Sequence, residues 1–206
     1  MARKIDIARL KRTAIAELAA MRERIEDGRT ANLHYLLLRW MCKMTAVDAH
    51  GTWERYVEGR LVAAVNHSPA HFIAEQNIKG VSHISYGLAQ FIIRGGNRYF
   101  DFRSMGDLIS RTDKWIPKAQ NIFRALPVAD RNYIDTLAAI RNFVVHGSDA
   151  AQLAYRTQLQ LTYGIRYPPQ PDEFLFALDN RAGSPARYQP RLYGLLVVLE
   201  RTIQNS

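Results

Sequence analysis

The chain has little that could staple, anchor or metallate it. Its one cysteine, Cys42, excludes an intramolecular disulfide, and such usage fits a reducing compartment. A lone thiol in the apolar stretch Trp40-Met41-Cys42 reads as a small buried hydrophobe rather than a nucleophile. Apolar runs are short and broken by Arg39, Lys43 and Asp48. None approaches the roughly 18–20 residues needed to span a bilayer. The opening Met1-Ala2-Arg3-Lys4-Ile5-Asp6 lacks the apolar run of a signal peptide. A soluble, cytoplasmic protein with no membrane partner is therefore expected. No glycine-rich loop ending in Lys-Ser/Thr occurs, which argues against a P-loop ATPase. His83-Ile84-Ser85-Tyr86-Gly87 lacks the first glycine of a nucleophile elbow. His67 and His71 are separated by Pro69 and have no evident third ligand, so no metal site is expected. There is no internal repeat and no low-complexity tract.

What is present is an ordinary globular composition with a strong basic excess. Of 206 residues, 48% are apolar, and 28 basic against 19 acidic side chains leave a net charge of +9. A chain of this length can bury a core without staples. The excess favours polyanionic partners, nucleic acid above all, although a solvated basic surface would look the same by charge alone.

Helical periodicity dominates. Ile5, Leu10, Ile15, Leu18, Met21 and Ile25 predict an amphipathic helix over 4–27, ended near Gly28. Over 31–66, Leu33, Leu36, Leu37, Trp40, Met44 and Val47 form one apolar stripe. Trp53, Tyr56, Val57, Leu61 and Val65 continue it past a kink or break at Gly51. A short helix is expected after Pro69, and another over 82–94, ended by Gly95-Gly96. Arg98–Arg103 alternates weakly, as a short extended segment would. Ser104 and Asp107 resemble a capping box opening a helix through Leu108 and Ile109. Asp130 is expected to cap a helix whose apolar face is Tyr133, Ile134, Leu137, Ile140 and Val144, with Gly147 as terminator. Ser148 can cap the next helix, closed by Gly164. Pro171-Asp172-Glu173 suits a helix first turn. Arg181–Pro190 is loop, and Leu192–Ile203 a terminal helix. The expectation is one all-α domain over residues 1–206.

Chemistry concentrates in Ile140-Arg141-Asn142-Phe143-Val144-Val145-His146-Gly147. An arginine followed by a polar residue, an apolar triplet and a His-Gly at a helix end resembles the Arg-x4-6-His motif of the HEPN superfamily. The wider chain, including Trp53-Glu54-Arg55-Tyr56-Val57-Glu58 and the run Arg94–Arg103, resembles the HEPN group linked to L-PSP domains. The resemblance implies an up-and-down helical bundle with extra helices. It implies a metal-independent endoribonuclease acting on RNA without a cofactor, from a composite site in a homodimer. A role in bacterial defence or a toxin–antitoxin system, with an antitoxin or regulatory partner, comes with it. A non-catalytic HEPN module, acting as a dimerising or nucleotide- or RNA-binding scaffold, is the alternative.

RNA can be cut without metal when its own 2′-OH attacks the neighbouring phosphorus. Histidine can move the proton, and the arginine fork can neutralise the phosphoryl oxygens. Arg141 and His146 are thus the catalytic candidates. Their spacing sets them about 140° apart around an ideal helix. Asn142 and His146 share a face, so Asn142 is assigned to orienting the imidazole. Arg141 as a surface residue and His146 as a favourable C-terminal helix residue would fit the same pattern. Arg94, Arg98 and Arg103, interleaved with Tyr99, Phe100 and Phe102, are candidate RNA contacts. The alternative for that run is buried aromatics whose arginines pair with Asp101 and Asp107.

Overall fold

A computed structural model describes residues 5–206. Among these the protein is all-α. Nine α-helices and one 3-10 turn at Lys118–Gln120 account for the regular structure, and the only strand-like pairing is an isolated bridge between Leu178 and Pro190. The chain divides into two compact units. The first comprises described residues up to Ala14, Trp53–Leu126 and Ser206. The second comprises Ile15–Thr52 and Pro127–Asn205. Helices α1 (Ile7–Thr30) and α2 (Tyr35–His67) contribute to both. No described helix is long and apolar enough to cross a membrane.

The first unit forms around the second half of α2. Trp53, Tyr56, Val57, Leu61 and Val65 are buried as their periodicity predicts. The Trp53 ring stacks on Tyr56 and meets Phe123 edge-on. Gly59 lets α1 come close, because a Cβ there would fall 2.8 Å from the Leu10 side chain. Helices α3 (Ala70–Glu75), α4 (Tyr86–Arg94) and α5 (Met105–Thr112) follow. Ser85 caps α4 by accepting from the Leu88 amide, and Ser104 caps α5 by accepting from the Asp107 amide. The Asp107 carboxylate turns back to the Arg103 amide, which completes the expected reciprocal arrangement one residue early. Arg98–Arg103 is loop rather than strand, yet its alternation survives in burial. Phe100 and Phe102 are inside, while Tyr99, Asp101 and Arg103 are exposed.

The second unit is built by α6 (Val128–His146), α7 (Asp149–Tyr163), α8 (Pro171–Phe176) and α9 (Arg191–Asn205), with residues of α1 and α2. Tyr133, Ile134, Leu137 and Ile140 are buried as expected, and most of α9 is buried too. Ser148 accepts from the Ala151 amide and Gly164 closes α7 in the left-handed conformation. Pro171 opens α8 with Asp172 and Glu173 in its first turn, where both carboxylates pair with Arg39 of α2.

Several local expectations are corrected. The end expected near Gly28 comes at Thr30, two residues beyond it. Gly28 itself lies in the last turns of the helix and is buried, and the Leu38 and Leu33 side chains sit 3.0 and 3.2 Å from where a Cβ would stand. Close packing against α2 is what this glycine permits. Gly51 does not break α2, which is continuous from Tyr35 to His67. Burial of its neighbours Ala49, His50, Thr52 and Trp53 outweighs the ~1 kcal/mol that a helical glycine costs. Asp130 does not cap α6. The helix begins after Pro127, and Asp130 is a buried first-turn residue ion-paired with Arg201. The stripe Leu36, Leu37 and Trp40 points outward, with Trp40 53% exposed, while Leu38, Cys42, Ala46 and Ala49 face the core.

Cys42 is fully buried, and burial pushes its thiol up to about 12, against a smaller opposing effect of Arg29. Native protein at pH 8 should therefore resist thiol reagents, with labelling appearing only on unfolding. Rapid native labelling in a kinetic thiol assay would contradict this placement.

Candidate functional site

Helix α6 is largely buried from Tyr133 to Ile140, Asp135 excepted, and emerges where the motif begins. Residues Arg141–Val144 are half-buried, and Val145 and His146 are exposed. The end of the helix is pinned by stacking of Phe143 on Tyr155 of α7, with ring centroids 5.4 Å apart. Gly147, at φ 59°, donates its amide to the Phe143 carbonyl and ends the helix. Its left-handed conformation needs no Cβ. Ser148 then starts α7 at once, so the motif sits at the tip of a tight helical hairpin.

The 140° separation is bridged by the length of the arginine side chain. Nη1 of Arg141 lies 3.4 Å from Nε2 of His146 and donates to Oδ1 of Asn142 at 2.9 Å. Asn142 therefore grips the guanidinium rather than the imidazole. The orienting role assigned to it acts on Arg141, because an adjacent residue's amide reaches the arginine fork first. A guanidinium cannot accept, so this contact is a hydrogen bond only in the tautomer that leaves Nε2 unprotonated and puts the ring proton on Nδ1. A guanidinium and an imidazole thus meet at the exposed end of the helix.

Arg94, Arg98 and Arg103 belong to the first unit and Arg141, Asn142 and His146 to the second. Nε and Nη2 of Arg94 both contact Glu58, each at 2.8 Å. The Arg98 guanidinium lies over the exposed Tyr99 ring at 5.2 Å. Arg103 is exposed. It is Arg111, not these three, that pairs with Asp107 and donates to the Asp101 carbonyl. If RNA uses this surface, Arg98→Ala and Arg103→Ala should each flatten the dependence of log affinity on log salt, by close to one ion apiece. Arg94→Ala should do less, since Glu58 already neutralises it. Equal slopes in a filter-binding titration of all three variants and the parent would exclude this surface.

No protein-family model, curated protein or solved structure matches the chain.

A feature outside the sequence reading is the Arg181 cluster. Its Nε and Nη2 hold Asp179, which has 2% of its side chain exposed, at 2.9 and 2.7 Å. The guanidinium also donates to the Thr162 carbonyl and the Tyr133 hydroxyl, and stacks 3.8 Å from the Tyr163 ring centre. Burial works against ionisation of Asp179, yet the Arg181 and Ser184 hydrogen bonds hold its carboxyl below the ordinary value. All the donor positions of this arginine that the cluster uses are turned inward, so it fastens the Arg181–Pro190 loop to α6 and α7. No local pattern marks this cluster, because its partners are separated by up to 48 residues.

Proposed function

We propose that this chain is a metal-independent endoribonuclease of the HEPN type. The reading rests on its motif and on one observation above all: the Arg141 guanidinium stands 3.4 Å from the His146 imidazole at the exposed end of a buried helix. On this reading the second unit is the core of an up-and-down HEPN-like bundle, and the remaining helices are additions to it. Arg141 donates to the non-bridging phosphoryl oxygens and leaves Nε2 of His146 free. That nitrogen takes the 2′-OH proton as the O2′–P bond forms. The P–O5′ bond breaks, O5′ takes a proton from water, and a 2′,3′-cyclic phosphate and a 5′-OH remain; the proton on His146 then returns to solvent. Asn142 keeps the guanidinium in place. The arrangement supplies proton transfer and charge stabilisation from side chains alone.

A homodimer with the two motifs near its two-fold axis goes with this assignment. The exposed Tyr35, Leu36, Leu37 and Trp40 at the start of α2 provide unpartnered apolar surface of the kind interfaces use. Sedimentation should show a dimer at micromolar concentration, and a strict monomer would remove the composite site. The same patch favours the alternative reading, a non-catalytic dimerising module. RNA as substrate, an antitoxin or other regulatory protein as partner, a cytoplasmic setting and a role in bacterial defence belong to the proposal. Incubation of the purified protein with matched RNA and DNA strands in EDTA tests it. RNA alone should be cut, since DNA lacks the attacking hydroxyl. Cleavage of both strands would contradict the mechanism, and an intact RNA panel would favour the scaffold.

A further inference from the structure

The first unit contains a cavity of about 180 Å³ between the C-terminal half of α2 and the loop after α5. On the α2 side Arg60, Ala64 and His67 recur at helical spacing and point to one face. Trp115, Pro117 and Gln120 line the opposite side. No Asp or Glu is among the residues lining it. Nε of Arg60 is buried and has no hydrogen-bond partner among the described residues. The Arg60 side chain is hydrogen bonded to the Tyr56 phenol, which brings no formal charge at neutral pH. Lys11 stands close by: burial first, and the Arg60 charge second, hold its ammonium below its ordinary value.

A buried guanidinium nitrogen without a partner costs free energy. An anion entering the cleft would supply that partner, and no acid on the cleft's walls would oppose it. The rest of the lining decides what the anion carries. An indole, a proline and small aliphatic side chains make an apolar slot, and a cavity of ~150 Å³ is known to accept a benzene-sized ring. We propose that this cavity is a binding site for a small anion bearing one aromatic or heteroaromatic ring. The acid group sits on Arg60 and the ring lies against Trp115. The site is independent of the ribonuclease reading, since it uses none of the motif residues and belongs to the other unit.

The probes are phenyl phosphate and benzoate, with inorganic phosphate and benzyl alcohol as the ring-free and charge-free controls. Each is titrated into the full chain while the indole N–H signals are followed by NMR, the Trp115 signal having been assigned with Trp115→Phe. Phenyl phosphate or benzoate should shift the Trp115 signal saturably and leave that of the exposed Trp40 in place. Which of the two binds more tightly identifies the acid group as phosphate or carboxylate. Each control should bind at least tenfold more weakly, as should the better probe to Arg60→Gln, roughly the effect of losing one charge-assisted hydrogen bond. If neither ring-bearing anion moves the Trp115 signal, the proposal fails. It fails equally if benzyl alcohol binds as well as phenyl phosphate, a comparison on the wild-type chain that does not depend on the variant folding. Inorganic phosphate binding as tightly as phenyl phosphate would overturn the ring half of the assignment. Unchanged affinity in a folded Arg60→Gln would overturn the anchoring role of Arg60.

Discussion

His146→Ala should lower RNA cleavage by ~10²–10⁴-fold, the usual consequence of removing a positioned proton-transfer group. Arg141→Ala should lose a comparable factor of about 10²–10³, because the charge on the phosphoryl oxygens then has no fixed cation beside it. Asn142→Ala should be milder. Its carboxamide accepts one hydrogen bond from Nη1 of Arg141 at 2.9 Å, so its loss leaves the guanidinium present but less restrained. Arg141→Lys separates position from charge. A lysine keeps the charge but not the planar fork, so it should recover little if two oxygens are held at once. None of the four should unfold the protein, since Arg141 and Asn142 are half-buried and His146 is exposed at a helix end. Far-ultraviolet circular dichroism at matched concentration checks this before any rate is compared. Full activity in both alanine variants would place the chemistry elsewhere.

The largest effect on stability is expected at Arg181. Arg181→Met removes the partner of a carboxylate that is 2% exposed. Breaking such a pair from one side typically costs about 3–5 kcal/mol, because the remaining charge is left desolvated. The lower end applies here, since the backbone amide of Arg181 still donates to Asp179 Oδ1. Urea unfolding should show a fall in midpoint with an unchanged slope. Asp179→Asn combined with Arg181→Met should be less damaging than Arg181→Met alone, as no charge is then stranded. The pH dependence has a defined sign. A carboxyl held below its ordinary value adds stability above the unfolded-state pKa of about 3.9, and that stability is lost as pH falls through the lower folded value. The gap between parent and Arg181→Met should therefore be full at neutral pH and narrow in acid. A gap that is constant from pH 7 to pH 3 would show that Asp179 is not the group involved.

The parts of this structure that were legible in the sequence are those written in local chemistry. Ser148, Gly164 and Pro171 mark helix ends because their effects act within a turn of where they stand. The apolar face of α6 was legible because Tyr133, Ile134, Leu137 and Ile140 have no competing stripe. In α2 two stripes compete. Leu36, Leu37 and Trp40 carry the stronger apolar signal, yet Leu38, Cys42, Ala46 and Ala49 are the ones buried. Small side chains pack closely while contributing little to periodicity, so pattern alone picks the wrong face. Gly51 misled for a related reason: its local cost is about 1 kcal/mol, and tertiary burial exceeds it. At the candidate site, spacing identified Arg141 and His146 but set them on different faces, and only the reach of the arginine joins them. The Arg60–Trp115 cavity and the Arg181 cluster could not be read at all, since each assembles residues far apart in the chain.

If side chains alone, with the RNA's own 2′-OH, perform the cleavage, the ends of the product will show it. An RNA of defined sequence is incubated with the purified protein in excess EDTA, and the fragments are identified by mass spectrometry. Cleavage should leave a 2′,3′-cyclic phosphate on one fragment and a 5′-OH on the other. Fragments with a 5′-phosphate and a 3′-OH, or cleavage that stops in EDTA and returns with a divalent ion, would contradict it.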